Sequence, residues 1–254
     1  MKFQIRLAEQ IIEIHALYDA VSRMCEAYRL PERQWCTPAF TVVITPEDIT
    51  REGELAQREA RRGGEGEGLM LPPQQLETTA VYRKIAEGAV SFGCFVMHGS
   101  VVSTAGQGYM LTAPSGVGKT TRTALWVKHI PDSFVVNGDK PLLRVSPEEV
   151  RVYGTPWSGK ENWNRDVSVP LRAIFLLERA DDGAGDWLRE LRFAEAFPRL
   201  LHQTYLPADA SQKRQVLSLL RAMDGKVKCC RFHSEPTAAS VRLAWSAGKS
   251  NAQT

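Results

Sequence analysis

The run Ala113-Pro114-Ser115-Gly116-Val117-Gly118-Lys119-Thr120 has the spacing of a phosphate-binding loop, with alanine where the first glycine usually stands. Each residue type has a physical reason. Gly116 and Gly118 let the backbone turn sharply without a Cβ clash. The N–H groups around them form a concave nest for an anion, and the helix that begins near Lys119 adds the positive end of its dipole. Lys119 is placed to reach the β- and γ-phosphates of ATP, and the Thr120 hydroxyl to ligate Mg²⁺. Ser115, Val117 and Thr121 complete the expected cradle. At ordinary composition such a match arises by chance in roughly 2% of chains this long. The alternative is a plain glycine turn with Lys119 solvated on the first turn of a helix. The context argues against it: an apolar strand, residues 108–113 (GYMLTA), leads in, and an amphipathic segment (TTRTALWVKHI) leads out.

A phosphate loop names a nucleotide, not a reaction. Phosphoryl transfer also needs a carboxylate for the acceptor hydroxyl or the metal. Asp139 follows Phe134-Val135-Val136-Asn137-Gly138, and Glu178 closes Ile174-Phe175-Leu176-Leu177. Both positions read as the C-terminal end of a strand, where open α/β sheets hold their ligands. For Asp139 the plain alternative is a hairpin turn in NGDK; for Glu178 it is a surface ion pair with Arg179 beside it. His98 ends the apolar run 94–97 and reads either as a functional residue or as a structural strand-end histidine. In the loop 154–161, Gly154, Pro156 and Gly159 fix a shape, while Trp157, Ser158 and Lys160 offer an aromatic face, a hydroxyl and a cation. Such a loop suits contact with a phosphate or an acceptor; the alternative is a rigid turn with Trp157 tucked into the core.

The elements that must position these residues alternate along the chain. Apolar alternation at Phe3, Ile5 and Leu7, then at Ile12 and Ile14, predicts strand pieces; residues 18–29 read as a helix and 39–45 as a strand. A polar stretch comes next, with a solvated helix end at 54–62 and a glycine-rich flexible loop at 63–73. Residues 74–90 are expected to be helical. Strands are expected at 94–102, 108–113, 134–144, 150–154, 172–178 and around KVKCCRF. Helices are expected at 119–129, 187–205 and 211–224, and at TAASVRLAW. Interleaved strands and helices predict an α/β layered fold. The domain reading is a single unit of 254 residues, with residues 1–62 a subregion joined by the 63–73 loop to a core over 74–254.

Composition narrows the class. With 43% hydrophobic and 24% charged residues the chain is an ordinary globular one. At this length it should bury about 70–75% of its unfolded surface, so it needs no disulfide or metal staple. A net charge of +3 is too mild to imply nucleic acid. Five cysteines without CxxC or Cys/His spacing read as reduced thiols. The first ten residues lack the apolar core of a signal peptide, and no apolar run approaches the ~20 residues of a membrane span. The expectation is a cytoplasmic protein without membrane or nucleic-acid partners.

Taken in order, several segments resemble the HPr kinase/phosphorylase catalytic domain and its smaller stand-alone relatives. They are Met97-His98-Gly99-Ser100, TAPSGVGKTT, VVNGDKPLLRV, YGTPWSGKEN and VPLRAIFLLERA. The resemblance implies a phosphoenolpyruvate-carboxykinase-like nucleotide fold, Mg²⁺-ATP as donor, and transfer to a hydroxyl, typically of serine on an acceptor protein or peptide. It places Asp139 on the family's acidic turn as general base or metal ligand, His98 near the transferred phosphate, and Lys119 with Thr120 on phosphates and metal. It also favours Asp139 over Glu178 and carries an expectation of a homo-oligomer. One departure stands out: the first acidic position of the turn is Gly138, which leaves one carboxylate and no identified second metal ligand. Two other readings remain: a small-molecule kinase on the same scaffold, and a nucleotide sensor without catalysis.

Overall fold

The computed structural model describes residues 1–62, 70–179 and 185–249; the glycine-rich stretch 63–69 lies outside them. The chain forms two compact units, Met1–Gly88 and Ala89–Thr254. The helix expected at 74–90 therefore sits with the N-terminal unit, and the boundary falls after Gly88, not at the glycine loop.

The first unit is a three-stranded sheet with helices. Strands β1 (Lys2–Leu7) and β2 (Gln10–His15) pair antiparallel, and β3 (Phe40–Val43) runs parallel to β2. Its helices are α1 (Asp19–Met24), α2 (Pro46–Arg62) and α3 (Pro73–Gly88). Helix α2 begins earlier than its polar composition suggests. Thr45 and Asp48 cap it reciprocally: the Thr45 N–H donates to Asp48 Oδ2 at 3.0 Å and the Asp48 N–H to Thr45 Oγ1 at 3.4 Å. Pro46 takes the first helical position, where no donor is needed. Buried Glu77 of α3 accepts from the N–H of Tyr18, and Arg83 holds Glu52 with two hydrogen bonds of 2.6 and 2.9 Å.

The second unit carries the phosphate-loop motif and the candidate carboxylates. Its strands are β4 (Cys94–Val96), β5 (Ser100–Thr104), β6 (Gln107–Thr112), β7 (Phe134–Asn137), β8 (Leu142–Val145), β9 (Val150–Tyr153), β10 (Ser168–Arg179), β11 (Trp187–Leu191) and β12 (Lys228–Ser234). They form one mixed sheet in the order β4-β8-β9-β10-β6-β5-β7, with β12 also on β10 and β11 on β12. Strand β10 is the junction. Its start pairs antiparallel with β9, and after an irregularity between Leu171 and Ala173 its remainder runs parallel to both β6 and β12. Residues 173–177 are buried on both faces, which is why they read as an unbroken apolar run.

Helices cover both faces of this sheet. On one, α4 (Lys119–His129) and α7 (Ala238–Lys249) enclose Tyr109, Trp126, Phe175 and Phe232. On the other, α5 (Phe193–His202) and α6 (Ala210–Arg221) pack over Val101, Met110, Ile174 and Leu176. Residues 187–191, expected to begin a helix, form strand β11. Residues 134–144 do form two strands, but β7 pairs with β5 and β8 with β4 and β9. NGDK is thus a crossing between different parts of the sheet and not a hairpin turn. Cys94, Cys229 and Cys230 are buried and form no disulfide, and burial pushes the thiol pKa of the last two up to about 12. Among the described residues no helix is long and apolar enough to cross a membrane.

Candidate functional site

Strand β6 delivers the chain to the loop at 113–118, and α4 begins immediately after it. Gly116 has φ +79° and Gly118 φ +95°, a left-handed conformation that side chains avoid. Among the described residues the backbone N–H groups of residues 115–121 find no acceptor in the protein. These are the orphan donors of a helix start together with those of the glycine turn, gathered in one place. Ser115, Gly116, Thr120 and Thr121 are exposed, and Val117 and Gly118 are half-buried.

Lys119 is not a solvated first-turn residue. Lys119, Arg122, Thr123 and Trp126 form the buried stripe of α4. The Lys119 ammonium donates to the Ala113 carbonyl at 2.8 Å and the Pro114 carbonyl at 3.3 Å, so it lies across the entry to the loop. Burial pulls its pKa down, and the charge of Asp139 acts in the opposite direction.

Two arginines that look like ordinary charges in the sequence hold the loop in shape. Arg122 is 2% exposed. It donates to the carbonyls of Val117 and Gly118 at 2.9 and 3.4 Å, and to both the hydroxyl and the carbonyl of Ser234 on β12. Arg179, at the end of β10, donates to the Gly116 carbonyl at 2.7 Å. Arg122→Ala leaves buried carbonyls without donors, each worth about 1–3 kcal/mol. The expected result is a loss of about 3 kcal/mol in chemical denaturation, with weaker nucleotide binding.

The acidic turn is built around Asn137. This fully buried side chain accepts the N–H of Asp139 at 2.9 Å and of Lys140 at 2.8 Å, and its amide donates to the carbonyl and hydroxyl of Thr155. The Thr155 hydroxyl in turn donates to the Lys140 carbonyl at 2.8 Å. The turn is thereby pinned to the loop at 154–161, and Asp139 projects from it.

His98 bridges this turn to α5. Its Nε2 lies 3.1 Å from Asp139 Oδ1, its Nδ1 lies 3.0 Å from Gln203 Oε1, and its backbone N–H donates to the Gln203 carbonyl at 2.7 Å. The Thr112 hydroxyl, one residue before the phosphate loop, donates to the His98 carbonyl at 2.7 Å. Burial raises the Asp139 pKa, but the hydrogen bond from His98 and the positive charges of Lys140, His98 and Lys119 outweigh it. The carboxyl is held below the ordinary aspartate value.

The structure therefore brings His98, Lys119 and Asp139 to one end of the sheet. Glu178 is instead held in two ion pairs: Arg199 and Arg231 each approach it at 2.7 Å. From the loop at 154–161, Ser158 and Gly159 abut the acidic turn, and a Cβ on Gly159 would lie 3.4 Å from Asp139 Cβ. Buried Ser158 accepts a hydrogen bond from Asn164 at 2.8 Å. Trp157 is half-buried, while Lys160 is exposed and makes no hydrogen bond or ion pair among the described residues.

Gly138 also acquires a reason. A Cβ there would come within 2.6 Å of the Ser158 carbonyl, so backbone occupies the space of the missing carboxylate. Gly138→Asp is expected to destabilise the protein by about 1–3 kcal/mol through overpacking and to displace Asp139. Reduced turnover with a lowered unfolding midpoint would be the measured signature.

No cluster of three or more His, Cys, Asp or Glu side chains suited to a metal occurs among the described residues. A phosphate-bound Mg²⁺ does not require one, because one or two carboxylate or hydroxyl ligands from protein suffice. The exposed Thr120 hydroxyl and the ionised Asp139 carboxylate are hard oxygen donors of that kind.

A family model described as SynChlorMet cassette protein ScmC matches residues 73–197, just under half of the chain. No curated protein matches. Among solved structures, the Hpr(Ser) kinase/phosphatase from Coxiella burnetii is similar at 11% identity and a TM-score of 0.29, covering 50% of this chain and 93% of that one. What the chain is similar to is thus a ScmC-type segment across its middle.

Proposed function

We propose that this chain is an ATP-dependent kinase on a phosphoenolpyruvate-carboxykinase-like fold, transferring the γ-phosphoryl group of ATP to a hydroxyl, that of a serine in a protein or peptide. The observation that carries this reading is the conjunction of a glycine loop with unpartnered N–H groups, a buried lysine across its entry, and an ionised carboxylate held by histidine within the lysine's field.

The residues divide the work. The N–H groups of residues 115–121 and the positive end of α4 bind the polyphosphate. Lys119 exchanges two carbonyls for the terminal phosphates and neutralises charge that grows during transfer. Thr120 and Asp139 would hold Mg²⁺, which would neutralise phosphate charge. Asp139, fixed by His98 on its side chain and by the Gly99 N–H on its carbonyl, accepts a hydrogen bond from the acceptor hydroxyl and aligns it. A carboxylate held below its ordinary pKa is a weak base. That suits a loose transition state, in which the hydroxyl proton departs late and orientation matters more than deprotonation.

The test is direct: purified protein with Mg²⁺ and γ-labelled ATP, offered serine peptides and, separately, small alcohols. Label on serine is the expected result. ATP bound tightly with neither transfer nor ADP release would mark a nucleotide sensor instead.

A further inference from the structure

A half-enclosed cavity of about 480 Å³ adjoins the phosphate loop, and Ala113, Pro114, Val117, Leu176 and Leu177 supply its apolar wall. Thr120 and Thr121 do not line it. The cavity therefore borders the entry of the loop, where the Lys119 ammonium rests on the Ala113 and Pro114 carbonyls. On the kinase reading Lys119 meets the terminal phosphates, which sets the cavity beside the reacting end of the polyphosphate. Gln203 also lines it, and its side chain holds His98, which holds Asp139. At its border stand Arg179 and Arg199 with one carboxylate, Glu178, which Arg199 and Arg231 each approach at 2.7 Å, so the guanidinium groups outnumber the carboxylate there.

We propose that this cavity anchors an apolar side chain of the acceptor peptide, one or two residues from the phosphorylated serine, with an acidic residue of the peptide at the cationic mouth. This rests on the kinase reading and names its substrate class. The geometry fits. From Gln203 to Asp139 the path crosses one imidazole ring and two contacts of 3.0 and 3.1 Å. Alternate residues of an extended peptide share a face and lie roughly 7 Å apart, a span of the same order. The apolar wall takes the anchor, and the open side lets the peptide chain continue into solvent.

His202 lies on the cavity border, exposed, and its ring makes no hydrogen bond among the described residues. His202→Trp should fill the cavity from the α5 side while replacing no residue of the phosphate loop, whose N–H groups at 118–121 lie outside the lining. The experiment uses the full chain, Mg²⁺ and γ-labelled ATP, with serine-centred peptide libraries in which each flanking position is fixed in turn. Leu, Ile or Met at one position within two residues of the serine should raise transfer about tenfold over Gly, as expected for burying one such side chain. An acidic residue nearby should add to it. His202→Trp should erase the apolar preference and leave the affinity for a fluorescent ATP analogue unchanged; if it lowers the melting temperature, His202→Leu gives the same readout with a smaller filling group. Transfer without a flanking preference, transfer to small alcohols alone, or weakened analogue binding in the filled variant would each overturn the proposal. Wild-type protein that neither binds the analogue nor transfers label overturns the kinase reading, and this proposal with it.

Discussion

Lys119→Ala is expected to raise the dissociation constant for ATP about 100-fold and to abolish measurable turnover. Lys119 is 9% exposed, and its ammonium is fixed by two carbonyls at the loop entry. Hydrogen bonds to a charged partner are worth about 1.5–3 kcal/mol, and ~3 kcal/mol corresponds to about two orders of magnitude in affinity. Because burial already disfavours the free ammonium, trading carbonyls for phosphate oxygens strengthens its pairing in the complex. Lys119→Arg should not rescue, since a planar guanidinium does not fit a point-charge site. Titration with a fluorescent ATP analogue measures the loss, and the melting temperature shows that the fold persists. Undiminished binding would remove the lysine from the nucleotide site.

Asp139→Asn is expected to act on the other half of the reaction. Turnover should fall by roughly 10³, within the range for losing a positioned catalytic carboxylate, while affinity for the nucleotide measured without Mg²⁺ stays close to wild type. The pH dependence carries a sign. With Asp139 held below the ordinary aspartate value, activity that needs the carboxylate should keep its acid limb below that value. His98→Ala removes the largest of the lowering influences, so the acid limb should move upward in pH. Stability obeys the same linkage. A carboxyl depressed in the folded protein contributes stability fully above its unfolded pKa of ~3.9 and loses it as pH falls through the folded value. Denaturation at pH 7 and again near pH 3 should show that contribution in the wild type and its absence in Asp139→Asn. An acid limb unmoved by His98→Ala would separate the histidine from the carboxylate's function.

The phosphate loop is legible in the sequence because its determinants are local: two glycines, a lysine, a strand before and a helix after, all within about twenty residues. Asp139 is legible only as one of two candidates, because what separates it from Glu178 is long-range. Glu178 is neutralised by arginines from α5 and β12, and no spacing along the chain reveals that. Arg122, Arg179 and Gln203 escape sequence reading for the same reason. Each acts on a partner between 63 and 112 residues away, and an isolated arginine in sequence looks like surface charge. The segment Trp187–Leu191 reads as helix because its apolar positions fit either period; antiparallel pairing with β12 makes it a strand. The start of α2 is written in Thr45-Pro46-Glu47-Asp48, a capping pattern hidden by the polar composition of the rest of the helix. Gly138 reads as a lost carboxylate, whereas the backbone of residue 158 already fills the space.

The central claim is that residues 115–121 wrap their N–H groups around a polyphosphate. Amide NMR of the ¹⁵N-labelled protein, titrated with Mg²⁺-ATP, ADP and AMP, tests it residue by residue. The account predicts that the amides of Gly116, Gly118 and Lys119 shift furthest with ATP and ADP and barely with AMP, which lacks the β-phosphate. Shifts centred elsewhere, or equal for all three nucleotides, would contradict it.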